Sequence, residues 1–147
     1  MNDHKQRAEE SEQQARDELR RAYLLVGFGK FDEAIEACER ASKLAPDHHL
    51  PVTLEGSFLL ASGRMQEALA KLRAATRSHP DRALPWIYFA EACFLSGRHR
   101  QGGRALDTAR QTAQSDEHRR LIDQLDELWQ QVEPEEVPPP LEVASTA

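Results

Sequence analysis

Several arrangements in this sequence have the residue types that chemistry needs. The stretch GFGKFDEA, residues 27–34, sets a lysine behind two glycines in the manner of a phosphate-cradling loop. Such a loop requires four residues between its leading glycine and a Gly-Lys-Ser/Thr end, so that successive N–H groups converge on the anion and a hydroxyl holds magnesium. Here Leu24 stands where that glycine belongs and Phe31 follows the lysine, so the nucleotide reading fails. Cys93 and His99 have the types of a nucleophile and its base, but Cys93 falls at an inward-facing helical position. The carboxylate pairs Asp32 with Glu33 and Glu135 with Glu136 lie on an exposed first turn and in a proline-rich tail, where nothing would separate their proton affinities. The histidines (His4, His48, His49, His79, His99, His118) are scattered, with no His-x-x-x-His and no Cys-x-x-Cys. The sequence therefore predicts no catalytic residue, no metal and no cofactor, and does not read as an enzyme.

The glycine stretch makes sense once its copies are found. SGRMQEA begins at Ser62 and SGRHRQG at Ser96, and Gly29, Gly63 and Gly97 are spaced 34 residues apart. Each is followed by a basic residue (Lys30, Arg64, Arg98), then by a small one (Ala34, Ala68, Gly102) and seven residues later by an alanine (Ala41, Ala75, Ala109). Pro46 and Pro80 keep the same period. A 34-residue period is that of a helix–turn–helix array, and the glycine lets the chain leave one helix with positive φ and enter the next.

These residues resemble the tetratricopeptide repeat, whose units place small residues where two antiparallel helices touch. The first helices supply Ala22, Gly56 and Ala90 at the small position, and Trp86 stands at the family's preferred tryptophan position in the third unit. The resemblance implies an all-α fold of the α-solenoid class, with three repeats over about residues 16–114 and a C-terminal capping helix. Helices are expected near residues 16–28, 31–44, 50–62, 65–78, 84–96, 99–113 and 116–131, to within about two to four residues at each end. Pro51 and Pro85 fall in first turns, where a missing N–H is harmless. Ser115 is placed as the N-cap of the last helix, which carries Leu121, Ile122, Leu125, Leu128, Trp129 and Val132 as an apolar stripe.

Composition bounds the rest. With 147 residues and 30% charged, the chain has enough material for one small domain, expected over residues 15–132. Residues 1–14 are polar throughout and are expected either to be disordered or to extend the first helix backwards. Residues 133–147 hold Glu133, Glu135, Glu136 and Glu142 with no lysine or arginine, and are expected to stay disordered. They carry four of the six net negative charges, which leaves the body nearly neutral, with no footprint for nucleic acid. No window is apolar enough to span a membrane and the opening residues lack a secretory signal, so the chain reads as cytoplasmic. Cys38 and Cys93 suit reduced, buried thiols.

The first helix of each repeat carries more apolar residues than its partner requires, and in a repeat stack these helices line the concave side. The surplus predicts a groove for a protein or peptide partner, with Leu19, Tyr23, Val26, Thr53, Ser57, Leu60, Ile87, Glu91 and Phe94 facing it. Leu24, Leu25 and Phe28 lie at the N-terminal end of the stack, where a homodimer contact or a co-chaperone is expected. Gly102 is expected at a tight helix crossing; Gly103 has no assigned role.

Within the family, co-chaperones that grip a C-terminal carboxylate use lysine and asparagine from the first helices. This sequence has no asparagine after Asn2 and no lysine on those predicted helices, so it departs from that subclass. By contrast, RAYLLVGFGKFDEA from Arg21 and FAEACFLSGRHRQGGRALDTA from Phe89 look like stretches of the class II chaperones of bacterial type III secretion. That resemblance implies a bacterial cytoplasmic chaperone that keeps a secreted translocator subunit soluble. Needle-subunit chaperones share the flavour of LPWIYFAE from Leu84, and a generic adaptor is the third alternative.

Overall fold

A computed structural model describes residues 2–131. Among these are seven helices and no strand: α1 (Asn2–Gly27), α2 (Phe31–Leu44), α3 (Leu50–Ala61), α4 (Met65–Ser78), α5 (Ala83–Leu95), α6 (His99–Thr112) and α7 (Asp116–Gln130). By its internal contacts the chain divides into two units, Met1–Lys71 and Leu72–Ala147, with the division inside α4. The expected tail, residues 133–147, lies outside the described residues.

The three turns inside the helical hairpins are built alike. Gly29, Gly63 and Gly97 have φ of 75°, 85° and 82°. At the first, Lys30 N–H donates to Leu25 O at 2.9 Å and Gly29 N–H to Val26 O at 2.9 Å. The same pair recurs as Arg64 to Leu59 (2.9 Å) with Gly63 to Leu60 (3.0 Å), and as Arg98 to Cys93 (2.7 Å) with Gly97 to Phe94 (3.0 Å). This crossed pattern satisfies carbonyls that a helix end would leave open, and it requires the left-handed conformation that glycine adopts freely.

In the first unit α1 packs on α2, α2 packs on α3, and α1 reaches α3. Residues 2–15 contain no glycine or proline, and exposed side-chain hydrogen bonds such as Gln13 to Asp17 (3.1 Å) and Arg16 to Gln13 (2.8 Å) join successive turns of α1. Its buried stripe is Ala15, Leu19 and Ala22. Against it stand Ala34, Ala37, Cys38 and Ala41 of α2, all without exposed surface. Side chains no larger than these let helix axes approach closely. Glu18 and Arg40 pair across the α1–α2 contact at 2.9 Å.

In the second unit α5 packs on α6, and α7 contacts both. Pro85 sits in the first turn of α5, and the Trp86 indole N–H donates to Pro80 O at 3.0 Å, bracing the entry to the helix. The Arg73 guanidinium lies over the Phe89 ring, 5.6 Å from its centroid. Ser115 caps α7 by accepting from His118 N–H at 3.1 Å, and Ile122 is the fully buried anchor of that helix.

Gly102 and Gly103 of α6 differ sharply. A methyl at Gly102 would come within 2.6 Å of the Phe94 ring, whereas one at Gly103 meets nothing within 4 Å. Gly102→Ala is expected to lower stability by about 1–3 kcal/mol through overpacking, while Gly103→Ala raises it by about 0.5–1 kcal/mol by removing backbone freedom from the unfolded chain. Chemical denaturation of the two variants checks the opposite signs.

Candidate functional site

The nine residues expected to face a groove divide by exposure. In the first unit, Tyr23 on α1 is 55% exposed, and Val26 on α1 with Ser57 and Leu60 on α3 are half-buried. Leu19 and Thr53 are buried. The Thr53 hydroxyl donates to His49 O at 2.7 Å, turned back on its own helix. In the second unit Glu91 is half-buried, whereas Ile87 and Phe94 are 3% and 4% exposed. Leu19, Thr53, Ile87 and Phe94 are therefore core residues and offer no surface to a ligand in this conformation.

Phe94 shows why. Its ring stacks on Trp129 of α7 with centroids 4.8 Å apart and an interplanar angle of 21°, while Gly102 of α6 leaves the space its edge occupies. Trp129 in turn donates its indole N–H to His99 Nδ1 at 2.7 Å. An indole nitrogen can only donate, so this geometry puts the His99 ring proton on Nε2. The terminal helix thus claims a residue that helical spacing alone assigns to the ligand.

What remains exposed in the first unit is centred on α1. The Tyr23 ring meets Phe58 of α3 edge to face at 5.8 Å, so the two helices share an aromatic contact at the surface. Leu24 and Phe28, 67% and 80% exposed, are one turn apart and lie on the side opposite the Ala15, Leu19 and Ala22 stripe. Phe58 was not among the expected site residues; its buried spacing on an all-apolar helix gives no sign of the contact.

The two partly buried glutamates differ in their surroundings. Burial raises the Glu55 carboxyl above its ordinary value, partly offset by Lys71, whose Nζ lies 3.3 Å away. Glu91 is raised by burial alone, and among the described residues its side chain has no hydrogen bond or ion pair. A half-buried carboxylate without a partner is destabilising unless something else supplies the donor.

The chemistry-bearing pairs do not assemble. Burial pushes the Cys93 thiol up to about 11 and the Cys38 thiol up to about 12, so neither is a nucleophile near neutral pH. His99 Nδ1 is occupied by Trp129, and Asp32 is paired with Arg64 at 3.2 Å. Glu135 and Glu136 lie outside the described residues. Among the described residues no three His, Cys, Asp or Glu side chains gather as a metal site, and no helix is long and apolar enough to cross a membrane. One cluster escaped the sequence reading: Arg98, Arg100 and Arg104 of SGRHRQGGR line one open hollow with Gly97, His99 and Gln101.

This arrangement of helical hairpins, glycine turns and buried small residues has a known counterpart. Two models of the tetratricopeptide repeat match the sequence, one over residues 19–83 and the other over residues 59–125, and the chain carries tetratricopeptide repeats there. Among curated proteins, none matches the chain in sequence. Among solved structures, the type III secretion translocator chaperone SycD of Yersinia enterocolitica is similar with a TM-score of 0.71 at 14% identity, over 80% of this chain and 89% of that one. The Sgt2 repeat domain of Aspergillus fumigatus gives 0.65 at 17% identity over 80% of each chain. The TPR2B domain of yeast Sti1, solved as a complex with pHsp70, gives 0.66 at 21% identity over 86% of this chain and 98% of that one. These likenesses establish the all-α repeat fold, with a terminal helix after the repeats.

Burial sorts the candidate residues by their expected response to charge. Phe94→Glu should cost at least about 3 kcal/mol, since it removes a stacked ring and buries a carboxylate, whereas Tyr23→Glu and Leu60→Glu should stay within about 1 kcal/mol of the native chain. Glu91→Gln should stabilise the fold at neutral pH. Because burial raises the folded-state value of Glu91, its carboxylate destabilises above the ordinary glutamate range, and the gain from Gln should vanish as pH falls below that range. Denaturant midpoints measured across pH check both.

Proposed function

We propose that the chain is a protein-binding repeat module, acting in the bacterial cytoplasm as a type III secretion chaperone for an apolar segment of a secreted translocator subunit. The observation that carries this reading is the apolar area left open at the end of α1 and in the turn after it, where Tyr23, Leu24 and Phe28 are all more than half exposed. A soluble helix ordinarily turns such residues inward, and an exposed cluster marks a surface that another chain covers. Tyr23 adds an aromatic ring already held by Phe58, so little freedom is lost when a ligand packs on it.

The fold shared with the Yersinia translocator chaperone supports this choice of client. Of the nine expected contacts, the proposal retains Tyr23, Val26, Ser57 and Leu60 on the first unit and, separately, Glu91 on the second. Apolar burial contributes roughly 25 cal/mol per Å² before ordering costs, so affinity should depend little on salt. Glu91 fits a donor from the client, which would remove the penalty of its unpaired charge.

Leu24 and Phe28 favour a second role for the same end of the chain, as the contact for another copy or a co-chaperone. Leu24 lies in the last turn of α1 and Phe28 in the turn that follows, 67% and 80% exposed. In sedimentation, self-association that Leu24→Glu with Phe28→Glu abolishes is expected; a monomer that stays soluble at high concentration would remove this role.

Co-expression with the products of adjacent reading frames tests the client. An otherwise insoluble translocator subunit should be recovered in soluble complex, and Tyr23→Glu with Leu60→Glu should reduce recovery at least about tenfold, equivalent to about 1.4 kcal/mol. Recovery of a needle subunit alone would point to the needle-chaperone alternative. Recovery only of folded, independently stable partners would reduce the protein to an adaptor.

A further inference from the structure

The start of α6 gathers charge that the fold itself does not use. Arg98, Arg100 and Arg104 border one open hollow, with Gly97, His99 and Gln101 completing its lining. Several other arginines of the chain are matched by carboxylates: Arg64 holds Glu67 at 2.9 Å, Arg110 holds Asp126 at 2.9 Å, and Arg119 holds Asp116 at 3.1 Å. None of the three guanidiniums at the hollow has a carboxylate partner among the described residues. Arg100 and Arg104 are also an i, i+4 pair of like charge, an arrangement that destabilises a helix. A cluster of this kind fits an anionic occupant bearing several carboxylates.

The end of α7 arrives at the same place. Trp129 donates to His99 Nδ1 at 2.7 Å and stacks on Phe94, so the last turn of α7 is fastened to a residue that itself lines the hollow. The helix ends at Gln130. The chain then reads Val132, Glu133, Pro134, Glu135, Glu136, with three carboxylates in four residues and no lysine or arginine from there to Ala147. An extended chain covers roughly 3.3–3.6 Å per residue, so the four to seven residues from Trp129 to these carboxylates are ample to reach arginines bordering the same hollow. Tethering holds the two charge groups at an effective concentration on the order of millimolar without any help from another molecule.

The geometry points to a clasp in cis: the acidic segment formed by Glu133, Glu135 and Glu136 docks on Arg98, Arg100 and Arg104. The chain itself is the occupant of this surface. The contact neutralises the arginine cluster and ties the end of α7 to the start of α6, reinforcing the Trp129 latch. It is electrostatic and exposed, so it weakens as salt shortens the screening length. An acidic segment of another protein would have to displace it.

Paramagnetic relaxation in the intact chain tests the clasp. A nitroxide on Val137→Cys is selective because Cys38 and Cys93 are buried. In about 20 mM salt it should broaden the amides of residues 98–104, and raising salt to about 0.5 M should reduce the enhancement at least twofold. Replacing Arg98, Arg100 and Arg104 by Gln should remove it, whereas Arg120→Gln, on the exposed side of α7, should leave it intact. If the triple arginine variant does not fold, the reciprocal variant decides: replacing Glu133, Glu135 and Glu136 by Gln should shift the side-chain N–H signals of the three arginines. The proposal is overturned if the label leaves residues 98–104 sharp at low salt, if the broadening survives loss of the arginines, or if those signals ignore the glutamate replacements. It is overturned too if an added Glu-Pro-Glu-Glu peptide shifts the arginine signals equally with and without the native glutamates, since the hollow would then be free for a partner.

Discussion

Each helical hairpin in this protein depends on one residue reaching the left-handed region of backbone space. At Gly29, Gly63 and Gly97 the positive φ reverses the chain within two residues while the glycine's own N–H and that of the next residue close open carbonyls of the preceding helix. A residue with a Cβ pays roughly 1–2 kcal/mol for that conformation. The turn sets how soon the second helix starts, and therefore which residues of the two helices meet. Ala22 with Ala34 and Ala41, and Ala90 with Gly102 and Ala109, are buried because the turn brings those positions into the helix crossing.

Close crossing by small residues has a consequence for the larger ones. When backbones approach this nearly, a big side chain has room only where its neighbour gives it up entirely. Phe94 fits because Gly102 has no Cβ, and its other face is then covered by Trp129. The terminal helix is thus held by a chain of dependence running from a missing methyl, through two stacked rings, to a hydrogen bond on His99. Apolar burial supplies most of the stabilisation there, and the hydrogen bond selects one orientation of Trp129.

The repeat architecture was legible because the features that produce it are local and periodic. Glycine at a fixed interval, small residues at fixed offsets from it, Pro51 and Pro85 in first turns and Ser115 at a helix start each act through their immediate neighbours. The surface was less legible, for a reason visible in α3 and α5. Both are apolar nearly all round, so their sequences hold no direction from which to tell Thr53 and Ile87, which are buried, from Leu60, which retains exposed surface. Which face stays open is decided by helices distant in sequence, as Trp129 decides for Phe94. The start of α1 was undetermined for the opposite reason: a run of polar residues without a breaker is equally compatible with a helix and with disorder, and here it is helical from Asn2.

The two units leave different physical quantities unsatisfied. In the first, the surplus is apolar area at Tyr23, Leu24 and Phe28, while its buried carboxylate Glu55 has Lys71 beside it. In the second, Leu95 and Leu128 are exposed as well, and unmatched charge is added: among the described residues Glu91 has no hydrogen-bond donor and Arg98, Arg100 and Arg104 have no carboxylate. Apolar area attracts without regard to the partner's sequence, which suits a holder of diverse aggregation-prone segments, but it discriminates poorly. Unpaired charges act the other way, since a ligand that leaves them unmatched gains nothing and one that matches them is selected. The chain therefore exposes apolar area in both units and adds unmatched charge in the second. Carboxylates can compete for those arginines but not for exposed apolar side chains.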